Sequence, residues 1–540
     1  MLAEHPIALA FGVIIILYIA RFFYRLHWNR SLYKGLHGPP HSYIWGSLLS
    51  INEVVQEQPK RAAPQCLPLF IKEKYSLKDY FYMDPFPFGP ASLVILNAEM
   101  LQDVAVRNSL PKHPAVEAFV RHVGGPGDMV TAEGAEWKKW RSSFNPGFAN
   151  AHLMTLVPLI VDQGKMFVEN LTQKAEEKAL FRLEPLATRL TVDIIGKVVL
   201  DADFSAQKGP NELVDTLLSQ ISWQQIGGEI SLSALDLRRP FVLKYNTWKM
   251  NRIIGRLLEQ RFATRSERGK TKCIVDLALE AYLKEHKGDA GASATRLDPE
   301  FKTAAISNMK VFLFAGHDTT SSAIAYSYYY LSKYPICLER IRQEHNDVFG
   351  SNSSPNAIAE ALKDDPYLIN KLEYTTAVVR EALRLQPPAS TVRIGQKGFF
   401  LRDPDTGEAL PTENFMLWPV DTGIGRSAKH WQDRHSFDPE RYLKPGGHNK
   451  DAWIPFSKGI RNCIGQDLAM MEVKIILAMT IRAFDFQVRY DELESLKGDG
   501  SGYPSDTSGI QTQFGEEAYQ IQLGSAKPRE GLPCRVSLRS

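Results

Sequence analysis

Cys463 has the most specific chemical setting of any residue in this chain. It stands in Phe456-Ser-Lys-Gly-Ile-Arg-Asn-Cys-Ile-Gly465, with the order Gly459-x-Arg461-x-Cys463-x-Gly465. An apolar helical pattern follows at once: Leu468, Ala469, Met471, Ile475, Ile476 and Met479. A thiol at the mouth of a helix is placed to become a thiolate. The free N–H groups and partial positive charge of the helix N-terminus favour S⁻ and lower the thiol pKa. Glycine on both sides lets the backbone pass close to something flat, and Arg461 can pair with an anion near it. The object that meets all three conditions is haem, with Cys463 as its axial ligand. A buried structural cysteine in a glycine-rich turn is the competing reading of this loop alone.

A second chemical stretch is Phe314-Ala-Gly-His-Asp-Thr-Thr320. It lies in the middle of a long helix that Asp298 can cap, Pro299 and Glu300 can start, and Pro335 halts. At about 1.5 Å per residue the rod is roughly 50 Å long, enough to cross a whole domain. Gly316 weakens such a helix, and Asp318 is expensive to bury without a task. The Thr319 hydroxyl can bond back to the Ala315 carbonyl and open the helix locally. A small groove bearing a hydroxyl and an acid is a means of delivering protons to bound oxygen. An ordinary kinked helix explains the motif equally well when it is taken alone.

Weaker signals surround these two. Trp137 and Arg141 are four apart and share a helix face, offering donors suited to a carboxylate such as a haem propionate. A surface cation–π pair is the ordinary alternative. Glu381-Ala-Leu-Arg384 is by itself a commonplace intrahelical ion pair.

The elements that must position these residues are mainly helical. Leu186, Leu190, Ile194 and Val198 mark a buried helix face, and 374–385 is a further helix. Residues 78–83 and 93–96 read as paired strands; 519–523 and 534–538 read as closing strands. Residues 221–250, interrupted by Gly227-Gly228 and Pro240, are read as a mobile cover or a membrane-dipping surface, against a loop-rich aromatic surface. Residues 288–296 form a small-residue loop, and 496–509 a loose surface insertion. The apolar run from Ile7, extended to Tyr24 if Arg21 snorkels, is close to a bilayer span. Arg21, Arg25, Arg30 and Lys34 follow it, which keeps the remainder cytosolic. It lacks the basic start and small-residue cleavage site of a signal peptide. Gly35-Leu-His-Gly-Pro-Pro40 is the stiff joint between anchor and body. The expected organisation is an anchor over 1–24, a basic flank and hinge over 25–50, and one catalytic domain over 51–540.

Bulk properties exclude several classes. Lys and Arg total 64 against 61 for Asp and Glu, so the net charge of +3 leaves no general nucleic-acid footprint. Cys66, Cys273, Cys337, Cys463 and Cys534 are scattered, which argues against structural zinc and for a reducing compartment. No Gly-x-Gly-x-x-Gly lies between a strand and a helix, so no nicotinamide or flavin domain of that kind is expected.

From about residue 30 onward the chain resembles the cytochrome P450 superfamily. The resemblance rests on the proline hinge, Trp137-x-x-x-Arg141, Ala315-Gly-His-Asp-Thr-Thr320, Glu381-x-x-Arg384, Pro439-Glu-Arg-Tyr442 and the Cys463 loop, in the family's order. It implies a mainly α fold with small β-sheets, a long central helix over haem b, and a single N-terminal transmembrane helix. It implies a haem-thiolate monooxygenase with Cys463 on iron, Trp137, Arg141, Arg393 and Arg461 around the propionates, and Phe456, Gly465 and Ala315 against the ring. Asp318 and Thr319 would direct protons, and Glu381, Arg384 and Arg441 would brace the cysteine loop without catalysing. Substrate would meet the 120–130 loop, the 221–250 region, Ala315, Thr319 and residues 389–392. Electrons would come from NADPH through a membrane-bound cytochrome P450 reductase, docking on Lys138, Lys139 and Lys458 or on no particular basic face. The implied setting is the endoplasmic reticulum membrane, with a monomeric cytosolic catalytic unit and a lipophilic substrate. The look of 314–330 and 388–393 is that of fungal secondary-metabolite enzymes (polyketide, terpenoid or mycotoxin pathways). A fatty-acid or xenobiotic hydroxylase, or a reductase-independent isomerase or dehydratase, is the alternative.

Overall fold

The computed structural model describes residues 6–120, 123–224, 236–264, 272–286, 296–505 and 507–539. Helix α1 (Pro6–Leu32) has a mean hydropathy of 1.5 over Ala10–Leu32 and is almost wholly uncovered there, long and apolar enough to cross a membrane. It continues unbroken past residue 24, so the basic flank forms its last turns. Nor does its end swing on a free joint. Arg30 Nη1 donates to the buried Asp84 carboxylate at 2.5 Å, Asn29 Nδ2 donates at 2.7 Å, and the His41 ring nitrogen lies 2.9 Å from it. Arg30 also donates to the Tyr43 and Ile44 carbonyls. The proline joint itself is pressed against the body: His37 O accepts from Tyr82 N at 2.8 Å.

The expected strand pair is β1 (Tyr80–Met83) and β2 (Ser92–Ile95), antiparallel with Phe81 opposite Val94. Helices α2 (Gly134–Phe144), α3 (Leu183–Leu200), α4 (Arg239–Ala263), α5 (Pro299–Lys333) and α6 (Glu373–Leu385) follow. Strands β3 (Arg393–Ile394) and β4 (Met416–Pro419) complete the sheet, in the order β1-β2-β4-β3. Leu93, Leu417 and Arg393 share one row across it. Helix α7 (Gln466–Thr480) follows the cysteine loop, and β5 (Gln520–Leu523) pairs with β6 (Ser525–Pro528) near the end of the chain. The fold is thus mainly α with small sheets.

Helix α5 starts as its sequence dictates. Asp298 accepts from the Glu300 and Phe301 N–H groups, and Pro299 sits in the first turn. Most of α5 is buried, packed on α3, α6 and α7 in one large apolar core. A smaller core behind the sheet joins Tyr80, Leu93, Ile95 and Leu417. Pro240, read as a break, instead lies in the first turn of α4, where a missing N–H costs nothing. Gly227 and Gly228 lie outside the described residues, as does most of 288–296. The 496–509 insertion is tied down: Arg182 Nε meets Asp499 at 2.6 Å, and the Tyr503 hydroxyl donates to the buried Glu184 at 2.6 Å.

Candidate active site

The cysteine loop is fixed by its own backbone. Gly459 has a φ of +75°, and a Cβ there would overlap the Ala105 carbonyl, so only glycine fits. The turn returns the Cys463 N–H to the Phe456 carbonyl at 2.9 Å. Gly465 caps α7. Cys463 is accessible only into an interior cavity of about 710 Å³ that it lines with Phe456, Arg461 and Gly465. The sequence predicts a lowered thiol pKa; burial instead pushes it up, while the Gly465 N–H, Arg141 and Lys112 pull the other way. The reason is geometric: Cys463 precedes the first turn of α7 and sits among apolar walls, where desolvation outweighs the helix field.

Behind the loop lies the brace. Glu381 is buried and accepts Arg384 Nε at 2.8 Å and Nη2 at 2.7 Å, and Arg441 Nε at 2.9 Å. Asp438 N and the Tyr442 hydroxyl also donate to it. Arg384 reaches the carbonyls of Gly425, Arg434 and Ser436, tying α6 to the segment before the cysteine loop.

The opposite wall of the cavity is α5. Ala315, Asp318 and Thr319 all line it. Thr319 Oγ1 donates to the Ala315 carbonyl at 2.8 Å, yet α5 remains one continuous helix. Asp318 is not a free acid. Its Oδ1 is 2.7 Å from Lys527 Nζ on β6, and its Oδ2 accepts from Ser525 N. Lys527 is also 2.8 Å from Glu184 Oε1 on α3, which accepts from Thr188 and Ser321. Burial pushes Glu184 up, but Lys527, Tyr503 and Thr188 together hold it below the usual carboxylate range. This network is not visible in the sequence, since its parts lie up to several hundred residues apart.

The cationic side contains one residue that sequence reasoning missed. Lys112 lines the cavity and is paired by its backbone with Arg393. Burial, with Arg461 and Arg393 nearby, pushes Lys112 down to about 7; burial and Arg461 push Arg393 down to about 10. Arg393 Nε and Nη2 are buried and have no hydrogen-bond partner among the described residues. Three crowded cations beside a thiol, with the Arg393 donors unspent, call for a flat anion, and a haem with two propionates fits that donor set. The other predicted propionate partners are engaged with protein. Arg141 donates to Asn462 O at 2.9 Å and Oδ1 at 3.1 Å. Arg461 donates to the Ala132 carbonyl at 2.9 Å and stacks 4.6 Å from the Trp137 ring. Trp137, Arg141 and Arg393 stand behind the cavity wall.

Apolar side chains complete the cavity, including Val116, Phe119, Ile195 and Phe314, with residues 389–392 as expected. Among the described residues, none from 221–250 lines it. Of the lysines considered for docking, Lys139 pairs with Glu300 at 2.5 Å and Lys458 donates to the Lys450 carbonyl, whereas Lys138 is exposed.

The family model that matches this chain, cytochrome P450, covers residues 78–511. Cytochrome P450 monooxygenase polC of Polytolypa hystricis is 36% identical over 531 residues, 96% of this chain and 93% of that protein. Cytochrome P450 monooxygenase acrF of Aspergillus aculeatus is 34% identical over 507 residues, 89% of this chain and 99% of the relative. Human cytochrome P450 4Z1 is 29% identical over 407 residues, 70% and 72% of the two chains.

Proposed function

This chain belongs to the cytochrome P450 family and is a monooxygenase, and from that premise we propose that Cys463 ligates haem b and that a membrane-bound NADPH-dependent reductase supplies the electrons. One atom of O₂ is inserted into a lipophilic substrate and the other leaves as water. The observation that carries this reading is the shared cavity: Cys463 and the Ala315–Thr319 groove both line it. Bound haem supplies the oxygen chemistry, with the thiolate favouring O–O cleavage.

The chain's own residues do the rest. Phe456 O and the Glu381–Arg384–Arg441 brace hold Cys463 in place. Arg393 and Lys112 offer positive charge to the propionates, while Trp137, Arg141 and Arg461 clamp the loop to the α2 region. Phe456, Gly465 and Ala315, which line the cavity, would hold the ring. Thr319 keeps its oxygen lone pairs toward the groove because its hydrogen is given to Ala315 O. Asp318 passes protons only when water replaces Lys527 or Ser525 at its carboxylate.

Helix α1 and the arginines near its end support a single-pass anchor in the endoplasmic reticulum with a cytosolic catalytic domain over 51–540. The relatives from Polytolypa hystricis and Aspergillus aculeatus support a place in fungal secondary metabolism. A carbon-monoxide difference spectrum of the reduced protein tests the ligand: haem bound without the red-shifted thiolate band sinks the proposal. NADPH-dependent O₂ uptake with added reductase separates a monooxygenase from an isomerase.

A further inference from the structure

Asp421 comes just after strand β4 and lines the cavity. It is 7% exposed, and its carboxyl has no hydrogen-bond or ion-pair partner among the described residues. Burial alone pushes that carboxyl well above the usual range, which favours its neutral, hydrogen-bond-donating form. An unpartnered buried polar group is costly, and an apolar residue of similar size would line this wall without that cost.

Its neighbours complete a polar corner. Gln65, 8% exposed, gives its amide N–H groups to Pro387 O at 2.9 Å and Gln520 Oε1 at 2.8 Å, which leaves its own Oε1 as an acceptor. Ser390 Oγ accepts from Trp418 Nε1 at 3.0 Å, so its O–H is uncommitted. Residues 64–66 pack against residues 421–425, which places Gln65 and Asp421 on adjoining segments. All four of Gln65, Ser390, Trp418 and Asp421 line the cavity. The corner therefore presents a donor acid, an acceptor amide and a hydroxyl within walls that are otherwise apolar.

We propose that this corner is a substrate-anchoring site for a neutral oxygen function, a hydroxyl or a ketone, on an otherwise hydrocarbon skeleton. The substrate has then already been oxygenated, or was built with oxygen, before it reaches this protein. Asp421 donates to the ligand oxygen, and a ligand hydroxyl donates in turn to Gln65 Oε1. This rests on the monooxygenase reading, because it concerns the same cavity.

The test compares three rigid probes of one skeleton: decalin, 2-decalol and 2-decalone. Equilibrium dialysis against the full-length holoprotein, corrected for detergent partitioning, gives each Kd. The expected result is at least tenfold tighter binding of decalol and decalone than of decalin. Asp421→Leu should abolish that preference while leaving decalin binding within threefold, and Asp421→Asn, which keeps a donor, should retain most of it. An infrared carbonyl stretch of a protonated carboxyl should vanish in Asp421→Asn and shift when decalol binds to the parent. No preference in the parent, or a preference surviving in Asp421→Leu, overturns the assignment. The reduced carbon-monoxide band is read in every sample. Its absence from the parent would refute the monooxygenase reading itself, whereas its presence at full height in Asp421→Leu shows that the variant is folded.

Discussion

Lys527→Met removes the cation from two buried carboxylates at once. Lys527 Nζ lies 2.7 Å from Asp318 and 2.8 Å from Glu184, and the lysine is itself buried. Stripping one partner from a buried ion pair costs about 3–5 kcal/mol. With about 2.1 cal/mol/K of unfolding entropy per residue, that lowers Tm by about 3–5 °C if the body unfolds as one unit. The pH dependence gives a sharper check. Glu184 is held below its ordinary value of 4.5. The stability it brings is therefore complete above that pH and disappears as pH falls through the folded value. Lys527 is raised, so its contribution persists across the whole neutral range. In the variant, Glu184 is buried without its cation and favours protonation. The gap between parent and variant should thus be widest at pH 7.5 and should close below pH 4.5. Circular dichroism melts at both pH values measure it, and Lys527→Arg should recover most of the loss. A variant melting within 1 °C of the parent at pH 7.5, or a gap that does not change with pH, would refute the claim that Lys527 holds Asp318. Freed from its partner, Asp318 should also alter the share of NADPH electrons lost as peroxide.

Three further outcomes follow from the geometry. Glu381→Gln leaves Arg384 and Arg441 without their shared anion and should cost about 3–5 kcal/mol, read as a drop in denaturant midpoint and loss of the thiolate band. Gly459→Ala places a methyl against the Ala105 carbonyl at a φ of +75° and should deplete haem-loaded protein; Gly446→Ala, at a φ of +68° with open space around it, should cost only about 1 kcal/mol and keep the band. Asp84→Asn loosens the clamp on Asn29 and Arg30, so limited trypsin cleavage after Lys34 in membranes should accelerate severalfold, whereas an unchanged rate would mean that the end of α1 is held elsewhere.

Local chemistry was legible in the sequence where a residue's role is set by its neighbours along the chain. The Asp298 cap, the Thr319 back-bond and the start of α7 beyond Cys463 each depend on residues within four positions. Positions set by tertiary contact were not legible. Lys112 is an ordinary lysine until its backbone is laid against Arg393. Lys527 is unremarkable until β6 folds beneath α5. Arg461 looks free in sequence but finds the Ala132 carbonyl in space. The thiol pKa failed for the same reason: helix proximity can be read from spacing, but the depth of burial that outweighs it cannot.

Four buried carboxylates share one function in this architecture. Asp84 ties α1 to the sheet, Glu381 ties α6 to the approach to the cysteine loop, and Glu184 with Asp318 ties α3 and α5 to β6. In each case at least one joined element is a short strand, a loop or a helix end that buries too little apolar surface to fix its own position. Apolar packing is non-directional and tolerates small shifts, whereas a carboxylate with several donors accepts only one arrangement. Replacing these pairs with well-packed apolar groups would not necessarily lower stability. The expected loss is of geometry: the height of the cysteine loop, the aim of Asp318 and the tilt of the anchor. Asp421 and Glu472, both lining the cavity and both raised by burial alone, do not share this pattern. Asp421 is a buried carboxyl in the same cavity with no cation and no donor, joined to nothing in the chain, and so its partner is best sought in the ligand.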